Sequence, residues 1–431
     1  MTLIIVSDFG GVPYMSLSRR RSDTWSGPWR ALLAVLGPGL VVMLADTDAG
    51  SVITAAQSGA QWGYQLLLLQ VVLIPILYIV QELTVRLGIV TGKGHGELIA
   101  KRFGRGWAWL SVATLALSCL GALLTELSGM AGVGLLFGIP RWVTMVILVG
   151  GLIIMVWTAS YAGVERVALA VGAFEFAFLL VALRTHQALG PLMRHSLHIP
   201  FQDPGYLYLA AANVGAVIMP WMVFYQQSAV VDKRLRVEHL TMARVDTAVG
   251  AVITQLIMAA VLVATAATIG RGNPHAPLNT VQQIADALTP FLGQRTGRLL
   301  FALGMSGAAT VATIVVSLTA ARGVGEVMGF KHSLEHHPRE APWFYGIYTT
   351  LLVLGGLLVA SDVNLVTLGV AMEVMNAVLL PIVLGFLYLL ARHALSGPLR
   401  LQGPYAAFVL GIIILTAGFG LYAALNGIAV G

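Results

Sequence analysis

Runs of apolar residues long enough to cross a lipid bilayer recur from one end of this 431-residue chain to the other. A hydrocarbon layer about 30 Å thick needs roughly 20 apolar residues in a helix. Within that layer every backbone N–H and C=O must find its partner inside the protein. Eleven spans are expected, near 31–57, 65–90, 107–128, 142–160, 164–184, 206–231, 243–269, 297–321, 343–360, 364–391 and 404–428. With 58% hydrophobic and only 10% charged residues, a soluble fold of this size would have to wet much of its apolar surface. The expected class is an all-α integral membrane protein with no soluble domain left over. Residues 1–30 carry Arg19, Arg20 and Arg21 but no apolar core with a cleavage site, so they read as a cytoplasmic tail and not as a signal peptide.

Basic residues set the expected topology. With the N-terminus inside, eighteen of the 25 Lys and Arg residues fall on the inner side, among them Lys93, Lys101, Arg102, Arg105, Lys233, Arg234 and Arg392. Six fall outside: Arg141, Arg184, Arg194, Arg271, Arg295 and Arg298. The expected arrangement is a multi-pass protein of the cell membrane, N-terminus cytoplasmic and C-terminus outside. The formal charge of +6 follows from orientation and gives no reason to expect nucleic acid as a partner. Cys119 is the only cysteine, so neither an internal disulfide nor a thiolate metal cluster can form.

The first span is interrupted by Ala45-Asp46-Thr47-Asp48-Ala49-Gly50-Ser51. A carboxylate at mid-membrane costs about 2.5–3.5 kcal/mol on insertion scales unless it meets water, a partner or an ion. Gly50, Thr47 and Ser51 weaken the helix there and free backbone carbonyls. The stretch reads as a cation site in a broken helix; the plainer alternative is a helix pair locked by a buried polar contact.

The sixth span contains Asn213-Val214-Gly215-Ala216-Val217-Ile218-Met219-Pro220-Trp221. Pro220 removes a helical hydrogen bond and clashes with the carbonyl of Ala216. Two interrupted spans in matching positions of two halves point to a transporter site at a repeat interface. The expected organisation is a first five-helix repeat at 31–190, a second, inverted one at 205–391, and an added eleventh helix at 404–428.

These residues together resemble the Nramp family of divalent metal transporters, over most of the chain from Gly37-Pro38-Gly39 to span ten. Asp48-Ala49-Gly50-Ser51, followed by Thr54, Gln57, Gly59-Ala60-Gln61 and Gly63-Tyr64, is similar to the family's Asp-Pro-Gly-Asn run and its continuation. Arg86-Leu87-Gly88-Ile89-Val90-Thr91-Gly92 is similar to the end of its second helix, and Gly215-Ala216 with Met219-Pro220 to its sixth-helix signature. The resemblance implies a LeuT-like fold with broken helices one and six and transport by alternating access. It also implies metal ligands at Asp48 (carboxylate), Ser51 (in place of asparagine), Ala216 (carbonyl) and Met219 (thioether). A family glutamine that joins the site in some states falls on Glu373.

Departures from the family pattern bear on coupling and on the ion. Ala49 replaces a proline. Trp221 and Gln226 stand where the family has histidines, Glu126 stands for an aspartate, and Gly129 for a second acid. Most groups able to titrate near neutral pH are thereby lost, which implies weak or no proton coupling. Met219 is a soft ligand and favours transition metals. Asp46 and Glu373 add hard oxygen, and the short Ser51 enlarges the site, both of which suit a partly hydrated Mg²⁺. The pattern is most like the NRAMP-related magnesium transporters, carrying Mg²⁺ and Mn²⁺. A conventional proton-coupled Mn²⁺/Fe²⁺ importer is the alternative.

Other residues have plainer readings. Asp46 can instead face a water-filled vestibule, and Glu373 can bond a neighbouring helix. Trp221 reads as packing or gating, because indole only donates. Glu126 is a pathway acid or a structural hydrogen-bonding group. Asp246 and Arg244 read as a helix-end charge pair, and Glu82 with Arg86 as an i, i+4 salt bridge. His332 and His336 share i, i+4 spacing without an evident third metal ligand. Gly129, Gly132 and Gly134 permit close helix packing.

A sodium-coupled carrier of an organic solute on the same fold is a second alternative, disfavoured because two acids at the break would repel an anionic solute. No nucleophile elbow, cofactor motif or phosphate loop is present, so neither an enzyme nor a primary pump is expected, and no cofactor beyond the metal as substrate. The expected partners are the metal ion and the lipid bilayer, with no obligate protein partner.

Overall fold

The computed structural model describes residues 37–185, 189–272, 278–288, 293–361 and 364–428. The expected tail at 1–30 lies outside the described residues. Among the described residues all regular secondary structure is helical.

Span one is built from α1 (Pro38–Asp46) and α2 (Ala49–Trp62), which meet at 48°. Pro38 starts α1, where its missing N–H is not needed. Asp48 is extended, with ψ near 175°, and caps α2 by accepting the Ser51 N–H at 2.7 Å. The interruption is thus a helix stop followed by an N-cap. Spans two to five follow as α3 (Leu67–Thr91), α5 (Arg105–Leu136), α6 (Arg141–Thr158), and α7 (Tyr161–Gly172) with α8 (Phe176–Leu183). The amphipathic α4 (His95–Phe103) lies between spans two and three. A 3-10 turn at Ala173–Glu175 joins α7 to α8.

After α9 (Leu189–Ser196), span six is α10 (Pro204–Val217) and α11 (Pro220–Asp232). Pro220 is not a kink within one helix; it occupies the first turn of α11, with Ile218 and Met219 non-helical before it. Spans seven to eleven are α12 (Leu240–Gly272), α14 (Gln294–Met328), α15 (Pro342–Ala360), α16 (Leu365–His393) and α17 (Gly403–Ile428), with the short α13 (Val281–Leu288) ahead of α14. Among the described residues ten helical stretches are long and apolar enough to span a bilayer, and the bent α1–α2 pair makes eleven, as expected. Span six is the innermost, 94% of its most apolar window being buried. Lipid-length helices such as α6 keep most of their apolar side chains outward.

The end of the bundle that holds Arg86, Lys233 and Arg322 is closed by charged links. Asp246 does not pair with Arg244 as the sequence suggests. Its carboxylate accepts the Gly39 N–H at 2.8 Å, anchoring the start of α1, while Arg244 bonds Glu82 at 2.8 Å beside Arg86. Lys233 pairs with Glu165 at 2.8 Å, Arg322 with Asp232, and Glu326 accepts from Ser228 and the Gly96 N–H at 2.7 and 2.9 Å. At the opposite end a cavity of about 490 Å³ is lined by Gln57, Gln61, Tyr208, Val366, Thr367 and Val370. The Gln57 amide ties α2 to the backbone of Leu278, whose N–H it accepts at 2.9 Å.

Candidate metal centre

Both interrupted spans break at the same place in the core. Ile218 and Met219 leave the helical path after Val217, and Pro220 has no N–H, so the Ala216 carbonyl gets no helical partner from position 220. The Ser51 hydroxyl donates to that carbonyl instead, at 3.0 Å, so the break of span one is joined to the break of span six. Asp48, Ser51, Ala216 and Met219 are all buried, at 1% exposure or less. The Asp48 Oδ2 has no hydrogen-bond partner. Sitting at the start of α2, the Asp48 carboxylate is also favoured by the positive end of the helix dipole.

Met219 is extended and lies just before Pro220. Its sulfur accepts the Trp221 indole N–H at 3.1 Å. Trp221 is therefore next to the centre, as a donor to a candidate ligand.

Span ten brings Glu373 against the break: a β-carbon on Gly50 would collide with its carboxylate, and one on Gly215 with its backbone carbonyl. Glycine at 50 and 215 is what lets spans one, six and ten approach so closely. Asn376 donates to Glu373 at 3.0 Å and accepts from Ser118 at 2.7 Å. Asp46 ends α1, is 2% exposed, and leaves Oδ1 unpartnered. Its charge acts on those of Asp48 and Glu373. Asp46 is therefore enclosed and faces no open vestibule.

Glu126, on span three, faces Asp48 and accepts the Ala49 N–H at 3.0 Å through Oε2. Gln226 is carried away from the centre; its amide donates to Thr247 on α12 at 3.0 Å. Of the expected site residues, Asp46, Asp48, Ser51, Glu126, Ala216, Met219, Trp221 and Glu373 come together, and Gln226 stands apart. The i, i+4 pair His332 and His336 forms no centre: His332 bonds the Phe330 carbonyl at 2.7 Å and His336 lies 3.7 Å from Glu340. Among the described residues no three His, Cys, Asp or Glu side chains are grouped to hold a metal. The donor set at the breaks is mixed instead: carboxylate, hydroxyl, carbonyl and thioether.

Glu175 escapes the sequence reading. It is fully buried beside Thr47, Asp46 and Asp48, and neither of its carboxyl oxygens has a hydrogen-bond partner. The available signal was a lone acid inside the otherwise apolar run Gly172-Ala173-Phe174-Glu175-Phe176.

Eleven spans among the described residues, two of them broken around a common polar centre, define a polytopic helical membrane protein of LeuT-like fold. A profile described as natural resistance-associated macrophage protein-like matches residues 39–426. The chain belongs to the Nramp family. A relative named divalent metal cation transporter MntH, from Verminephrobacter eiseniae, is 29% identical over 294 residues, covering 64% of this chain and 65% of that protein. The match thus spans somewhat less than two thirds of that relative. The crystal structure of an Eremococcus coleocola manganese transporter superposes with a TM-score of 0.75 at 19% identity, over 93% of this chain and 88% of that one. MhsT in complex with L-phenylalanine gives 0.60 at 15% identity, covering 94% of this chain and 99% of that chain. At these identities the two structures speak for the fold alone.

Proposed function

We propose that the chain is a secondary transporter that carries divalent cations, Mg²⁺ and Mn²⁺, into the cell by alternating access. The observation that carries this reading is the Ser51–Ala216 bond, which places a free carboxylate, a released carbonyl, a hydroxyl and a thioether at one buried point between two broken helices. In this reading Asp48, Ser51, Ala216 and Met219 ligate the ion. Glu373 and Asp46 add negative charge beside them. Trp221 and Glu126 hold Met219 and Ala49 in place.

The name of the structural neighbour, a manganese transporter, favours manganese, and so does the Met219 sulfur. Mg²⁺ is included because the thioether is engaged by Trp221 while the oxygen donors are numerous, and because Mg²⁺ keeps several waters and touches few carboxylates. Coupling to protons is weak or absent in this reading, since Gln226 is a neutral amide bound to Thr247. An inside-negative voltage then drives entry; two charges across 100 mV gain about 4.6 kcal/mol. The N-terminus lies inside, because the basic end of the bundle carries most Lys and Arg. Rocking of the helix bundle that carries the two broken spans against the remaining helices as scaffold opens the site inward. Inward release then requires the charged links of the basic end to part while the Gln57–Leu278 contact, already formed, holds the other face.

Proteoliposome uptake under an imposed voltage, with a lumenal pH dye, tests this. The expected result is Mg²⁺ and Mn²⁺ entry without acidification, abolished by Asp48→Ala. Mn²⁺ entry with acidification and no Mg²⁺ entry would establish the conventional proton-coupled importer, which Met219 favours. Uptake by Asp48→Ala at the wild-type rate would sink the site assignment.

A further inference from the structure

Span five runs alongside α1 in the same direction. Glu165 packs on Gly37 and Gly172 on Leu44, so Glu175 arrives level with Asp46 and Thr47. A carboxyl group buried in a membrane span without a partner is costly, and such groups mark ion pathways. Glu175 is 0% exposed with both oxygens unpartnered, and the charges that act on it, from Asp46 and Asp48, are negative. The Thr47 hydroxyl is the donor beside it, and that hydroxyl is also bonded to the Thr254 hydroxyl of α12 at 2.5 Å. The Oδ1 of Asp46 is also unpartnered. Three open carboxyl oxygens and two hydroxyl oxygens therefore gather at the end of α1, where span five and α12 meet it.

We propose that Asp46 and Glu175, with the Thr47 and Thr254 hydroxyls, form a second divalent-cation position next to the Asp48 centre. It is held by oxygen alone, so it takes a hard ion that retains water, Mg²⁺ or Mn²⁺. Lying along α1 toward the basic end, it is a staging position for an ion leaving Asp48. The inference rests on the divalent-transport reading above.

Mn²⁺ binding to the purified full chain tests it, by equilibrium dialysis together with electron paramagnetic resonance. The wild type binds about two Mn²⁺ with lines broadened by neighbouring ions, whereas Glu175→Gln and Asp48→Ala each bind about one and lose the broadening. Because Glu175→Gln keeps an acceptor for the Thr47 hydroxyl and removes a buried acid, its metal-free melting temperature is unchanged or raised. Thr254→Val, which keeps every charge, weakens the second Mn²⁺ about tenfold and serves if Glu175→Gln does not fold. A single Mn²⁺ in the wild type, or an undiminished second Mn²⁺ in Glu175→Gln or Thr254→Val, overturns the proposal. Failure of the transport reading is separate: it shows as wild-type Mn²⁺ uptake by Asp48→Ala, whatever Glu175→Gln binds.

Discussion

The backbone N–H of Ala49 donates to Glu126 Oε2 at 3.0 Å and so fixes the residue after Asp48 to span three. Proline at 49 has no N–H to give. The alanine and the glutamate are therefore matched, and Gly129, one turn along α5, makes room for the Ala49 side chain.

Ala49→Pro takes the backbone donor away from Glu126 Oε2, and Oε1 has no N–H donor to replace it. The expected cost is about 1–3 kcal/mol, seen as a lower melting temperature and slower uptake. Glu126→Gln keeps an acceptor for Ala49 and is expected to retain most of both. Equal losses in Glu126→Gln and Ala49→Pro would show that the charge of Glu126 matters more than its bond.

Ser51 sits between Asp48 and Ala216, with its N–H on one and its hydroxyl on the other. Ser51→Ala loses one neutral hydrogen bond, about 0.5–1.5 kcal/mol, and Mg²⁺ uptake falls several-fold. Ser51→Asn fills the space beside Ala216 and shifts preference from Mg²⁺ toward Mn²⁺. Competition between the two ions in one uptake assay reads this directly, and an unchanged ratio speaks against Ser51 as a selector.

Gln57 closes the cavity end by bonding both backbone groups of Leu278. Gln57→Ala frees that contact. A cysteine placed at Thr367, which lines the cavity, is then expected to react faster with an aqueous thiol reagent. Unchanged labelling would show that the Leu278 segment is held by other contacts.

His95, at the start of α4 outside the spans, is buried with Nδ1 2.9 Å from Gln227 Oε1 and Nε2 unpartnered. Burial pushes its pKa down to about 4 from 6.5, against a smaller upward pull from Gln227. Between those values the unfolded chain binds a proton that the folded chain refuses, so stability falls as pH drops from 6.5 toward 4. Melting temperature followed across that window declines in the wild type, and the slope flattens in His95→Asn.

The spans and both breaks were legible in the sequence because hydropathy and proline act locally. So was the meeting of Asp48 with Ala216 and Glu373, through resemblance. What stayed hidden depends on neighbours distant along the chain. Asp246 and Arg244 are two residues apart, yet one turns to Gly39 and the other to Glu82. Glu175 looks like a blemish in an apolar helix until span five is laid against α1. Gln226 stands where the resemblance puts a histidine, but the turn of α11 aims its amide at Thr247.

On the proposed ligand set, the engagement of Met219 by Trp221 and of Ala216 by Ser51 would make ion entry an exchange reaction. An arriving cation gains sulfur or carbonyl only by displacing an indole or hydroxyl proton that already occupies it. A singly charged ion draws too weakly on those lone pairs to evict their holders, whereas a doubly charged one does so while shedding part of its own water. Discrimination against the far more abundant monovalent ions thus begins with the protein's internal rivals for its own ligands, before the size of the cavity is felt.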